Sequence, residues 1–183
     1  MTVRINRKLH LVIPIEQGDK TLYAHATPVE TEVFDTYFLP IAKTFSSIYT
    51  EGLGAVAGPR VAAKMLKQVS EALGQWDDVK QGFMAEIRRL CNVFAPTDSG
   101  WSMIPLEEAI SKKIIDKDDA SEVENAIVFF TLTWLMHKKT DRERIISDAA
   151  GLWGARIESL NCTEFRDSLQ MLIAKDNSGK AAA

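Results

Sequence analysis

The sequence predicts a mainly α-helical α+β fold, a helical domain with an N-terminal β-hairpin. Three observations point to this class. Residues 8–27 hold the one long stretch in which apolar and polar residues alternate, the two-residue period of a half-buried strand. At least five apolar patterns at helical spacing come after it. One of these, Ala126 to Met136, runs eleven residues without a charge and is apolar on nearly every side, which marks a buried central helix.

The hairpin comes first. Leu9, Leu11, Ile13 and Ile15 alternate with Lys8, His10, Val12 and Pro14, and Glu16-Gln17-Gly18-Asp19 supplies turn residues. The alternation resumes through Leu22, Ala24 and Ala26. A four-residue loop would pair Leu9 with Ala26, Leu11 with Ala24 and Ile13 with Leu22. A lone hairpin is marginal in water, so its apolar face must rest on helices or on another chain.

Thr27-Pro28-Val29-Glu30 reads as a capping box with proline at the first helical position. Val33, Phe34, Tyr37, Phe38, Ile41, Phe45, Ile48 and Tyr49 then follow at helical spacing, and Pro40 should kink or divide that helix. Gly58-Pro59 opens a second helix with Val61, Met65, Leu66, Val69 and Leu73 inward. A third carries Val79, Phe83, Met84, Ile87 and Leu90, with Gly82 as its weak point. Val93–Ala95 and Trp101–Ile104 flank Pro96-Thr97-Asp98-Ser99-Gly100 as a small second hairpin, and Pro105 starts a short helix. Asp116 to Ala120 caps the long central helix, which reaches about Lys138. Thr140-Asp141-Arg142-Glu143 is a second capping box, for a helix presenting Ile145, Ile146, Ala149, Leu152, Trp153 and Ile157. Asn161 to Thr163 begins a last helix with Phe165, Leu169 and Leu172 inward. No repeat or long linker interrupts the chain, so residues 1–175 read as one domain and residues 176–183 as a flexible tail.

Composition narrows the function classes. The 183 residues carry 22 Lys and Arg against 25 Asp and Glu, a net charge of −3, which gives no general hold on nucleic-acid phosphates. The eleven-residue apolar stretch falls short of the roughly 20 residues a membrane span needs. Met1 to Lys8 is basic, but His10, Pro14 and Glu16 break the apolar stretch after it, and no small-residue cleavage site follows. The expectation is a soluble cytoplasmic protein. Cys91 and Cys162 are too few for a disulfide framework and read as reduced, packed thiols.

No catalytic set stands out. His10 lies opposite His25 on the non-core face of the hairpin, but no third ligand neighbours them, so they read as a solvated or interface-facing pair and not as a metal site. His137 ends the central helix, where the helix dipole favours a partly positive imidazole. Gly52-Leu53-Gly54-Ala55-Val56-Ala57 matches a dinucleotide fingerprint in letters, yet a helix precedes it where that motif needs a strand, so it reads as a flexible connector. The acidic residues Asp116, Asp118, Asp119, Glu122 and Glu124 lack the central glycine and terminal glutamate of a calcium loop. Arg88, Arg89, Arg142, Arg144, Arg156 and Arg166 are spread over several helices and read mostly as solvated faces. The expectation is a protein that is not an enzyme and needs no cofactor or metal.

Several stretches carry a family likeness: His25-Ala26-Thr27-Pro28, Glu32-Val33-Phe34, Tyr37-Phe38-Leu39, Ala42-Lys43-Thr44-Phe45, Ile48-Tyr49, Glu51-Gly52-Leu53-Gly54 and Ala57-Gly58-Pro59-Arg60. Met84 to Leu90 and Glu122 to Phe130 continue it, so that it covers roughly residues 9–140. In these the chain resembles the tail assembly chaperones of long-tailed, non-contractile phages. The resemblance implies a protein of the infected bacterial host's cytoplasm that binds the tape measure protein and keeps it soluble. It further implies that the protein helps recruit tail tube subunits and is absent from the finished virion. The family often makes a longer frameshifted product, and Gly179-Lys180 is compatible with a slippery run. The alternative is a structural tail-completion or head–tail connector protein that stays in the particle.

A chaperone of this kind needs a holding surface. The kinked Pro40 helix and the Gly52–Gly58 connector would border a movable apolar groove lined by Phe38, Phe45 and Tyr49, suited to an amphipathic tape measure helix. The free edges of the hairpin would serve self-association into a homo-oligomer. The competing expectation is that the three aromatics simply fill the core.

Overall fold

The computed structural model describes residues 9–138 and 140–180, without the side chains of residues 172–180. Lys8 and residues 181–183 lie outside the described residues, as does the inward placement expected for Leu172.

The hairpin forms as β1 (His10–Gln17) and β2 (Lys20–Ala26). Its loop is tighter than expected, because Gln17 pairs with Lys20 across Gly18-Asp19. Gly18 takes φ +58°, a left-handed conformation that glycine adopts without a Cβ penalty and that lets the chain reverse in two residues. The register therefore shifts by two, to Leu11 with Ala26, Ile13 with Ala24 and Ile15 with Leu22. An even shift keeps every side chain on its expected face.

The hairpin does not stand alone. Together with β3 (Cys91–Thr97), β4 (Gly100–Pro105) and β5 (Arg156–Glu158) it forms an antiparallel sheet in the order β4-β3-β2-β1-β5. Both hairpin strands are interior, with β5 on His10–Val12 of β1 and β3 on Tyr23–Ala26 of β2. The hairpin's edges are therefore taken up by β3 and, over His10–Val12, by β5, and the sheet ends at β4 and β5. Ile157 pairs with Leu11 in β5 and does not extend the preceding helix.

Helices cover both faces. Leu11, Ile15, Leu22, Ala24, Ala26, Cys91 and Val93 join the main core with Ile41, Ile48, Leu66, Phe83, Phe129 and Leu132. Val12 and Phe94 point to the opposite face and form a smaller core with Phe165 and Leu169 of α9 (Cys162–Lys180). Asn161 caps α9 through its side chain, which accepts from the Thr163 and Glu164 amides, while Glu164 accepts from the Asn161 amide. This helix extends through Lys180, across the first residues of the expected tail.

The first helical segment is divided as its proline dictates. α1 (Thr31–Thr36) and α2 (Phe38–Thr50) meet at Tyr37, which leaves helical geometry at φ −108° and ψ 21°. Pro40 lies in the first turn of α2, where a proline is tolerated but the helix cannot continue backwards through residue 36. Thr27 and Pro28 are not the cap. The Thr27 hydroxyl meets His10 Nδ1 at 3.2 Å, and α1 starts only at Thr31.

α3 (Gly54–Ala72) begins four residues before Gly58-Pro59, so the pair sits inside the helix. Gly58 explains why. A Cβ there would stand 2.5 Å from Phe129 Cε2 and 3.0 Å from Ile48 Cγ2, so only glycine permits this approach to the central helix. The next helical stretch comprises α4 (Trp76–Val79), a π-helical turn (Lys80–Met84) containing Gly82, and α5 (Ala85–Arg89). α6 (Leu106–Ser111) follows Pro105 as expected.

α7 (Lys117–Met136) is the buried centre. Asp116 Oδ1 accepts from the Asp118 and Asp119 amides at 2.8 Å each, and Ala126 through Thr133 are all buried. Trp134, on the same helix, is only half-buried, with the Arg142 guanidinium 5.4 Å over its ring. Buried Asn125 ties α7 to α3, its Oδ1 accepting from the Ala63 amide at 2.9 Å. α8 (Arg142–Gly151) starts after Asp141 without a side-chain cap, so Thr140 is not its N-cap, and Leu152 is exposed beyond its end. Among the described residues, no helix is long and apolar enough to cross a membrane.

Candidate partner-binding face and a buried thiol–imidazole cluster

The three aromatics singled out in the sequence share one stripe of α2, because positions 38, 45 and 49 recur at helical spacing. The adjoining side of the helix, Pro40, Ile41, Thr44 and Ile48, is buried. Phe38 is 51% exposed, Leu39 47% and Tyr49 42%, while Phe45 is half-buried. Phe38 and Tyr49 are therefore not core residues.

Their rings are organised by contact. Phe45 and Tyr49 stand 4.7 Å apart between centroids, and Phe45 meets the His137 ring edge-on at 5.6 Å. Phe38 packs edge-on against Phe34 of α1 at 5.6 Å. Partial burial pushes the Tyr49 phenol up from its ordinary pKa, opposed by the Thr133 hydroxyl beside it. His137 Nδ1 donates to the Thr133 carbonyl at 2.8 Å, which holds the ring against the end of α7. The result is a ridge across α2 and the end of α7. The acidic residues Glu32 and Asp35 of α1, and Glu51 just after α2, are also exposed.

A small apolar cleft lies between the sheet, α7 and α8, lined by Leu11, Ala26, Ile127, Phe130, Trp134 and Ile157 among others. A more polar cleft runs beside the helix division, between Tyr37, Pro40, Gln75, Asp78 and Gln81.

The two histidines of the hairpin also differ from expectation. Their rings do approach, 4.8 Å between centroids, but His25 is fully buried and His10 nearly so, because α9 covers the face assigned to solvent or an interface. His25 packs on Phe165 at 5.4 Å and Phe94 at 6.1 Å. Its Nε2 is 3.0 Å from the Leu160 carbonyl, which only accepts, so Nε2 carries the proton and Nδ1 is left as an acceptor. Nδ1 faces Cys162 Sγ at 3.4 Å, and Asn92 Nδ2 donates to the same sulfur at 3.5 Å. Burial lowers the His25 pKa, partly offset by the Leu160 bond and by Glu158. Burial raises the Cys162 thiol, partly offset by Asn92 and by the backbone at the start of α9. Both are neutral near pH 7, as a thiol donating to an imidazole.

Sequence reasoning missed this cluster because its members are 70 and 137 residues apart. The usable signal was Asn161, which starts a helix at Cys162. The arginines are only partly as expected. Arg88 pairs with Glu124 at 2.7 Å between α5 and α7, and Arg89 pairs with Glu86 within α5. Among the described residues, no group of three or more His, Cys, Asp or Glu side chains is placed to share a metal ion. Of the Gly52–Ala57 motif, Gly54–Ala57 form the first turn of α3, and the preceding element is helix α2 and not a strand, so the expected connector shrinks to the residues just before Gly54. In the comparisons with known proteins, no family model matches the chain, and no curated protein or solved structure is significantly similar to it.

Proposed function

We propose that this protein is a phage tail assembly chaperone that binds the tape measure protein in the cytoplasm of the infected host, helps recruit tail tube subunits, and leaves before the virion is complete. The observation that carries this reading is the exposed aromatic stripe on α2. Three large apolar side chains, Phe38, Leu39 and Tyr49, stand at least 42% exposed on one short helix, and clustered exposed apolar residues are characteristic of binding faces. The stripe would meet apolar positions of a client helix at i, i+3, i+4 and i+7. Glu32, Asp35 and Glu51 nearby favour a client with basic residues flanking those anchors. Holding a client this way requires no reaction.

Co-expression with the tape measure protein tests the reading. Tyr49→Glu and Phe38→Glu should leave the chaperone folded by circular dichroism and abolish the soluble co-complex. A folded double variant that still holds the tape measure protein in solution would overturn the role of the stripe. Recovery of the protein from purified particles would overturn the chaperone in favour of a resident connector or tail-completion subunit.

A further inference from the structure

We propose that Cys162 is a thiol-modification site, whose sulfur exchanges with low-molecular-weight disulfides while His25 takes its proton. The inference is independent of the tail-chaperone reading.

Four features converge on this sulfur. Cys162 is only partly covered, whereas Cys91 is fully buried on the opposite face of the sheet. His25 Nδ1 is the acceptor at 3.4 Å, and the ring is locked by Leu160 in the tautomer that leaves Nδ1 free to accept. A nucleophile, a base within reach and a third group orienting the base make the arrangement that activates thiols. Asn92 Nδ2 donates to the sulfur and stabilises the charge that develops there. Cys162 is also the first residue of α9, where the helix dipole favours a thiolate.

The exchange balances as follows. The Cys162 S–H proton passes to His25 Nδ1, and the sulfur attacks one sulfur of the reagent disulfide. A protein–reagent S–S bond forms as the reagent's own S–S bond breaks, and the departing thiolate takes the proton back from Nδ1. No other reductant or oxidant is consumed. The added group then sits at the first turn of α9, next to the contacts of Phe165 with Phe94 and Tyr23 that hold this helix to the sheet. Modification should therefore loosen α9.

The test uses the full chain and oxidised glutathione near neutral pH, with peptide mapping of adducts over time. Cys162 should acquire the adduct roughly tenfold or more faster than Cys91. His25→Gln keeps a donor toward Leu160 and removes the Nδ1 acceptor, and it should slow Cys162 about tenfold or more. Asn92→Ala, at a half-buried position, should slow it as well, and it decides the matter if His25→Gln does not fold. Hydrogen exchange in residues 163–170 should rise in the adduct. Equal rates at the two cysteines, or a Cys162 rate unmoved by either folded variant, would overturn the proposal.

Discussion

Trp153 donates its indole N–H to the carbonyl of Ala55 at 3.1 Å, and Ala55 is the residue whose helical partner would have been the amide that Pro59 lacks. A proline inside a helix leaves the carbonyl four residues back without its donor. Here a side chain 98 positions away supplies one. The bond anchors the segment after α8 to the first turn of α3, and Arg60 lies 5.6 Å over the same indole.

This pairing predicts a coupling. Trp153→Phe should destabilise the protein by about 1–3 kcal/mol, because the Ala55 carbonyl loses its partner. Pro59→Ala restores the backbone donor, so Trp153→Phe should cost less in that background. Urea unfolding of the four members of the cycle reads the difference, and strictly additive changes would show that Trp153 does not substitute for the missing amide.

Gly58→Ala should destabilise by about 1–3 kcal/mol through overpacking, since the new methyl meets Phe129 at 2.5 Å. Gly151→Ala, with open space around it, is the control and should be neutral or slightly stabilising. Thermal melts of the two variants distinguish a tight helix crossing from a loose one.

The aromatic residues of α2 and α7 should separate cleanly. Phe129→Ala removes a fully buried ring and should cost about 3–5 kcal/mol. Phe38→Ser changes a half-exposed one and should cost under about 1 kcal/mol. Comparable losses at both positions would place Phe38 in the core.

Stability should fall as the solution is acidified below the ordinary histidine pKa of 6.5. His25 has a lowered pKa in the folded state, so the unfolded chain binds its proton first and unfolding is favoured as pH drops from 6.5 toward the folded value. The slope from one such group is at most about 1.4 kcal/mol per pH unit. His10, Cys162 and Glu158 surround the ring, and Glu158 works against the shift. His25→Gln should flatten this part of the profile in urea titrations, whereas an unchanged slope would assign it to other groups.

Local periodicity was enough to find both hairpins, the α7 centre, the Asp116 cap and the division of the helix near Pro40. What it could not show was closure over distance. Three-residue β5 carries too little pattern to be seen, and only its pairing with β1 makes it a strand. The same blindness misassigned the second face of the hairpin, because nothing near His10 and His25 reveals that Phe165 and Leu169 will cover them. Helix starts at Thr27, Gly58 and Thr140 failed for another reason. Capping residues and prolines are permissive signals, and tertiary contacts such as Gly58 on Phe129 decide which are used. The stripe of Phe38, Phe45 and Tyr49 was legible as a helical face, but which side of the helix met the core depended on α3 and α7.

The position of β5 has a consequence for synthesis. β1 emerges from the ribosome well before its outer neighbour, Arg156–Glu158, which lies far downstream in the sequence. Until then the His10–Val12 edge has no β5 to pair with, and the growing polypeptide exposes an apolar ribbon that any other nascent strand can join. Completion of the sheet is thus a late event that depends on contacts of long sequence separation, which makes folding slow relative to helix formation. Stalled or truncated products ending before residue 156 would keep that edge open and be prone to aggregate.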